Sequence, residues 1–292
     1  METRFKYPVE IKENISPEEF KRDFLKPEKP VVLRGLWNNY PAREKWTVEY
    51  FKKTIGQVEV GVFDGNKQQE DRSFKNPHYK MKFAEYLDTI TTDSSSDLRL
   101  FLFNIFRHKP DLRNDFQFPP LTRLYLKKVP FMFFGGKNSK VRIHQDMDWS
   151  NVFLTQLYGR KEVVLFHPKY SKLLYRYPFG VHSSVDIENP DYEKYPGLKY
   201  VKGFHCILQP GDTLYIPSGY WHYIKYLDGG YAINQRALSP HPLRWIIGFW
   251  HVAVLSNIDD IMRYLFGESW FNLKRERSKN MAKKELERLV PA

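Results

Sequence analysis

A mainly β fold with flanking helices is the class this sequence predicts. From Leu124 to about Gln235, short β-rich runs follow one another, broken by Gly, Pro, Asn and Asp. They include Phe131-Met132-Phe133-Phe134, Val152 to Tyr158, Val163 to Phe166, Thr213 to Ile216 and Tyr231-Ala232-Ile233. Many short strands at close intervals indicate a barrel or a sandwich. Hydrophobic residues make up 42% of the 292 and aromatic residues 16%, a composition suited to a packed core around a lined cavity.

The flanks read differently. Ser16-Pro17-Glu18-Glu19 is a helix start, with a Ser cap, Pro at the first helical position and Glu three residues after the cap. Pro27 and Pro30 end that helix, and Val31-Val32-Leu33 follows as a strand. Thr47 caps a second helix that runs through Phe51 and stops near Gly56. Val58 to Phe63 alternates like a strand and meets the turn signal Asp64-Gly65. Met81 to Ile90 has helical spacing, and Leu98 to Phe106 is strand-like.

After Pro240 and Pro242 the pattern becomes helical again. Ile258, Ile261, Met262, Leu265 and Phe266 recur at helical spacing, with Asn257 as the expected cap. The organisation expected is a mixed α/β part at 1–123 packing on the barrel, a β-barrel core at 124–238, and a helical region at 239–292.

Lys and Arg number 46 against 34 Asp and Glu, a net +12 that keeps a surface solvated or attracts a polyanion such as RNA. No recognisable RNA-binding motif accompanies the charge. The single cysteine, Cys206, rules out an intramolecular disulfide and suits a reducing compartment. The first residues carry no apolar leader, and the run from Trp245 to Leu255 falls short of the ~20 residues that span a bilayer. The expectation is a soluble protein of the cytoplasm or nucleus, with no membrane partner.

The chemistry-bearing pattern is His144-Gln145-Asp146, answered by His222 behind the turn Pro210-Gly211-Asp212 and the run Thr213 to Ile216. On an extended segment, His144 and Asp146 share a face because strand side chains alternate. A distant His222 would complete two imidazoles and a carboxylate with open positions, the donor set of non-heme Fe(II) oxygenases. The other histidines, His182 among them, read as structural. Gly159-Arg160-Lys161 separates two apolar runs, and a hairpin there sends Lys161 to the start of the returning strand. From there an inward lysine could anchor a carboxylate.

Several segments together resemble the jumonji-C/cupin-like (cupin_8) 2-oxoglutarate oxygenases. They are Phe134-Gly135-Gly136, Ile143 to Asp146, Gln156 to Lys161, Leu165-Phe166-His167-Pro168, Asn189 to Tyr192, Gln209 to Pro217 and Trp221-His222. They resemble in particular the asparaginyl hydroxylase branch, which inhibits hypoxia-inducible factor; its N-terminal portion is also echoed at Met81 to Glu85 and Arg99 to Leu102. The resemblance covers roughly residues 80–235. It implies a double-stranded β-helix of jelly-roll type, with Fe(II) held by His144, Asp146 and His222. It further implies that Lys161 binds the far carboxylate of 2-oxoglutarate, and that O2 is consumed in hydroxylating a C–H bond with release of succinate and CO2.

Two positions depart from that pattern. Val141 stands where the family has a threonine three residues before the first ligand, and Phe101 replaces its upstream tyrosine. A compensating polar group is expected at Tyr125, and Asn151 and Asn234 lie near the family's asparagines. A protein or peptide substrate follows from the resemblance. The alternatives are a modified tRNA base, which the +12 charge favours, and a non-catalytic metal-binding cupin-fold protein, which the two lost polar positions favour. In related hydroxylases C-terminal helices form a dimer interface. Here Trp245, Ile246, Phe249 and Trp250 either do the same in a homodimer or pack on their own barrel.

Overall fold

The computed structural model describes residues 3–68, 70–71, 76–92 and 94–289. In the first third, strands β1 (Tyr7–Pro8), β2 (Glu10–Glu13) and β3 (Val31–Arg34) are interrupted by a helical segment, α1 (Pro17–Phe20). Helices α2 (Ala42–Lys45) and α3 (Val48–Ile55) lead into β4 (Glu59–Asp64), β5 (Tyr79–Lys82), α4 (Phe83–Thr91) and β6 (Leu98–Phe103). The caps act where the sequence places them. Ser16 Oγ accepts from the Glu19 N–H, and Thr47 Oγ1 from that of Tyr50.

The central strands are β7 (Phe131–Gly135), β8 (Lys140–His144), β9 (Asn151–Tyr158) and β10 (Lys161–Phe166). They continue as β11 (Gly203–Leu208), β12 (Thr213–Ile216), β13 (Trp221–Tyr226) and β14 (Gly230–Ala237). Two sheets result. One has five strands in the order β1-β11-β10-β13-β8, and the other nine in the order β2-β3-β12-β9-β14-β7-β6-β4-β5. This is the cupin jelly roll. Strands of residues 1–123 extend both sheets, through β1 on β11, β3 on β12 and β6 on β7.

The expected hairpin at Gly159-Arg160 does not form. β9 pairs with β12 and β14, while β10 pairs with β11 and β13 in the other sheet. The link turns a corner between sheets, at Gly159 with φ +69°, where a Cβ would come within 2.5 Å of the Gly229 carbonyl.

Both faces of the inner strands are covered, so they read as apolar runs rather than as alternation. On β9, Leu154 joins Val163, Leu165, Leu214 and Ala232 in the barrel interior, whereas neighbouring Phe153 packs outward with Phe20, Phe24 and Tyr215. Each such side chain contributes about 1.5–3 kcal/mol by leaving water. A separate cluster of Trp37, Phe51, Phe83, Phe134 and Tyr231 fixes α3 and α4 onto the nine-stranded sheet.

At the C-terminus, α5 (Pro242–Trp250) runs through a wider π turn at His251–Leu255 into α6 (Ser256–Leu289), which kinks at Gly267. Asn257 is therefore not a cap. The chain before it is already helical, and its side chain donates back to the Ala253 carbonyl. Among the described residues, no helix is long and apolar enough to cross a membrane.

Candidate metal centre and cosubstrate cavity

His144 ends β8, and His222 is the second residue of β13; the two are cross-strand partners. Asp146 lies just past the strand end, where the chain leaves the ladder, so alternation alone does not set its direction. A loop bond does: Gln145 N–H donates to the Val181 carbonyl at 2.8 Å. One ligand atom from each of His144, Asp146 and His222 then falls within 4.8 Å of the others.

The imidazoles are oriented from behind. His144 Nδ1 is 2.8 Å from the Arg142 carbonyl and His222 Nδ1 is 3.2 Å from that of Tyr220. With Nδ1–H donating to those carbonyls, each ring offers the Nε2 lone pair forward. Burial, and then the nearness of His222, holds His144 well below its ordinary pKa, and burial also lowers His222. Both rings are thus neutral at neutral pH, as a metal ligand must be.

Asp146 is the counterpart. Burial would raise its pKa, but the Arg236 charge and the two imidazoles outweigh burial and leave it below the usual carboxylate range. Arg236 Nη2 donates to Asp146 Oδ1 at 2.9 Å, while Nη1 reaches Asp148 Oδ1 at 2.5 Å and Ser150 Oγ at 3.1 Å. Two neutral nitrogens and one ionised oxygen at this spacing fit a divalent transition metal.

The turn that delivers His222 is itself tied to the loop after Asp146. Asn151 Oδ1 accepts from the Ser218 N–H at 2.9 Å, and Ser218 Oγ donates to the Trp149 carbonyl at 2.5 Å. Gly219, at φ +74°, lies where a Cβ would meet the Trp149 ring at 2.8 Å. Asn151 therefore positions the His222 turn and is not among the residues lining the cavity.

Beside the triad opens a cavity of about 520 Å³ lined by His144, Asp146, His182, Arg99, Tyr226 and apolar side chains. Lys161 lies on the face of β10 that carries Val163 and Leu165, and pairs with Tyr226 as Leu165 pairs with His222. At about 3.3 Å per residue, the Lys161 pair lies about 13 Å along the strand from the His222 pair. Lys161 is 1% exposed, its Nζ is 4.3 Å from the centroid of the Tyr226 ring, and burial pushes its pKa down to about 7.

Asn234 is two residues before Arg236 on β14 and opposite Phe131, which lines the cavity. It faces the same way as both, and its Oδ1 is buried without a hydrogen-bond partner in the protein. Tyr125 is placed elsewhere. Its ring packs 5.1 Å from those of Phe118 and Phe153 in the outward-facing cluster, away from the cavity lining.

Sequence reasoning missed Arg236, His182, Arg99 and Tyr226. His182, grouped there with structural histidines, stacks 6.0 Å from the His144 ring and lines the cavity. A signal existed for the arginines. Arg99 is the lone cation in the run Leu98 to Phe103, and Arg236 ends one that begins at Tyr231. A charge inside a buried strand needs a partner or a ligand.

Comparison with known proteins identifies the family of this domain. The family model of the cupin-like domain matches residues 17–253. The chain belongs to the cupin-like, jumonji-C family. It is 30% identical over 259 residues to tRNA wybutosine-synthesizing protein 5 of Gallus gallus, covering 80% of this chain and 79% of that protein. It is 29% identical over 227 residues to lysine-specific demethylase 8 of Xenopus tropicalis, covering 75% of this chain and 50% of that protein. The cupin-like chain thus spans about half the length of that demethylase relative. Its match extends well upstream of the segments 80–235 that carry the sequence resemblance.

Proposed function

We propose that this protein is an Fe(II)- and 2-oxoglutarate-dependent oxygenase that hydroxylates a C–H bond on a protein side chain. The observation that carries the reading is the His144, Asp146 and His222 cluster at a cavity, with Lys161 on the same barrel face as His222. His144, Asp146 and His222 would hold the metal. Bound Fe(II) would supply the oxidising chemistry, in which 2-oxoglutarate loses CO2 to become succinate and the oxygen atoms of O2 divide between succinate and product.

The chain's own residues do the rest. Lys161 offers a cation at a distance that an extended lysine and a five-carbon diacid span between them. Arg236 keeps Asp146 ionised and aimed. Phe131, Phe133 and Val141 add apolar side chains to the cavity lining, which limits the water it holds. At the mouth, Leu102, Met147 and Val252 are 49%, 36% and 49% exposed, a rim that suits an aliphatic side chain more than a phosphate.

The test is succinate formation from 2-oxoglutarate by Fe(II)-loaded protein on admission of oxygen, comparing wild type with His144→Ala and Lys161→Ala. Turnover abolished by the His144 change supports the reading. Absence of both turnover and metal-dependent 2-oxoglutarate binding would leave a non-catalytic cupin.

A tRNA-base substrate is the second reading. The fuller match to the wybutosine relative favours it, as do exposed Lys127 and Lys128 beside the lining residues Leu126 and Val129. An RNA substrate would bind with a steep loss of affinity as salt rises.

We also infer that a second copy of the chain covers the C-terminal helices. Phe249, Ile261, Leu265 and Tyr264 are 66%, 58%, 61% and 90% exposed there, an apolar face unusual for a monomer.

A further inference from the structure

The edge of the five-stranded sheet remote from β8 carries a surface that the cavity does not use. There β1 pairs with β11, Tyr7 against Phe204. It lies four strands from β8, about 19 Å at the ~4.8 Å spacing of neighbouring strands. The single turn before it, Thr3–Phe5, sends Phe5 into the cluster that holds Tyr195 and Leu198, with Arg4 half-buried and Lys6 exposed beside it. A groove of about 400 Å³ opens among Thr3, Arg4, Lys6, Tyr7 and Pro8.

Cations and aromatic rings are paired across this surface. The Arg4 guanidinium lies 5.4 Å from the centroid of the Tyr192 ring and donates to the Lys199 carbonyl. Lys202 Nζ lies 5.8 Å from the centroid of the Tyr7 ring. Tyr7 and Tyr200 are 46% and 44% exposed, so much of each ring meets solvent. Lys6, Lys199 and Lys202 are exposed too, and among the described residues no carboxylate pairs with them or with Arg4. Two of the neighbouring acids are engaged elsewhere. Asp191 Oδ1 accepts the N–H groups of Glu193 and Lys194, and Glu162 pairs with His205 at 2.9 Å. Glu193 is exposed, and the cations remain in excess.

Lysines alone would serve solubility. Exposed rings set among unpaired cations fit a partner that has both negative charge and flat apolar faces. Single-stranded RNA has both, in its phosphates and its unstacked bases. An acidic peptide would satisfy the cations and leave the rings without a stacking partner.

We propose that this surface binds single-stranded RNA, with phosphates on Arg4, Lys6, Lys199 and Lys202 and bases stacked on Tyr7 and Tyr200. It is separate from the cavity, so the proposal stands independently of the oxygenase reading.

The test follows the fluorescence anisotropy of a labelled oligouridine of about twelve nucleotides on adding the full chain at several KCl concentrations. Lys6→Ser with Lys202→Ser changes exposed side chains only. It is expected to weaken binding tenfold or more and to lower the slope of log affinity against log salt by about 1.4, two contacts at ~0.7 each. Tyr7→Ala with Tyr200→Ala is expected to weaken binding fivefold or more with the slope unchanged, as loss of stacking requires. Lys53→Ser with Lys80→Ser removes the same charge from exposed positions on α3 and β5 and should stay within twofold of wild type. An equal loss in that control would mean attraction by net charge alone and would overturn the proposal. So would a wild type that leaves the RNA free at tens of micromolar, or a tyrosine variant that binds like wild type. Polyglutamate that displaces the label as readily as unlabelled oligouridine would assign the surface to acidic peptides instead.

Discussion

Lys161 pays for its position in the apo protein. Its pKa falls from 10.5 to about 7 because burial removes water from the ammonium. From about pH 7 to 10.5 the unfolded chain keeps the proton that the folded chain releases, so stability rises with pH across that window. Below pH 7 the full cost is present, roughly 3 kcal/mol once relaxation is allowed for. Lys161→Met should therefore stabilise the apo protein most at pH 6 and least near pH 10, read by urea unfolding at both. A gap independent of pH would mean that the lysine titrates as it does in water. The same linkage makes diacid binding at pH 8 take up a proton, measurable by calorimetry in buffers of different ionisation enthalpy. Arg236 acts on the other ligand. Arg236→Met leaves Asp146 buried beside two neutral rings, and Mn(II) affinity should drop about 10–100-fold; an unchanged titration would show that Asp146 needs no clamp.

At the scale of elements, strand ends and corners place the chemistry. β8 stops at His144, and the loop that follows turns Asp146 back beneath Arg236 of β14. Helix α5 leans on that loop through Gly248, where a Cβ would come within 2.2 Å of the Asp148 carbonyl. Gly248→Val should push α5 and the loop apart, costing about 1–3 kcal/mol of stability and loosening Arg236 from Asp148. The thermal midpoint should fall, and so should metal affinity. Loss of stability with metal affinity intact would uncouple the helix from the site. The π turn at His251–Leu255 extends the same link, since Val252 lines the cavity.

For the molecule as a whole, the C-terminal helices expose more large apolar side chains than the barrel does, among them Leu243, Ile246, Phe249 and Tyr264. Replacing Phe249 and Leu265 by Asp should convert a dimer into a monomer, measured by light scattering after size exclusion. A wild type already monomeric at tens of micromolar would remove the second copy from the account. The charge of +12 bears on the same scale, because a net positive charge favours association with polyanions over other partners.

Much of this was legible in the chain. Turn residues between short apolar runs disclose the β core, and local capping at Ser16 and Thr47 discloses helices, since both depend on neighbours in sequence. The His144, Asp146 and His222 set was legible as well, because metal ligation demands particular residue types. Pairing partners were not. Gly159-Arg160 reads as a hairpin, yet it joins two sheets, because both faces of β9 and β10 are buried and each strand takes other partners. Arg236, Arg99 and the orphaned Asn234 amide likewise escape local reading, since what each charge or amide meets lies on a strand distant in sequence. The sequence by itself determined which residues can bind a metal and that a β-rich core lies between helical flanks. Only the tertiary structure decided which cations face the cavity, because barrel closure, a non-local event, sets which side of each strand points inward.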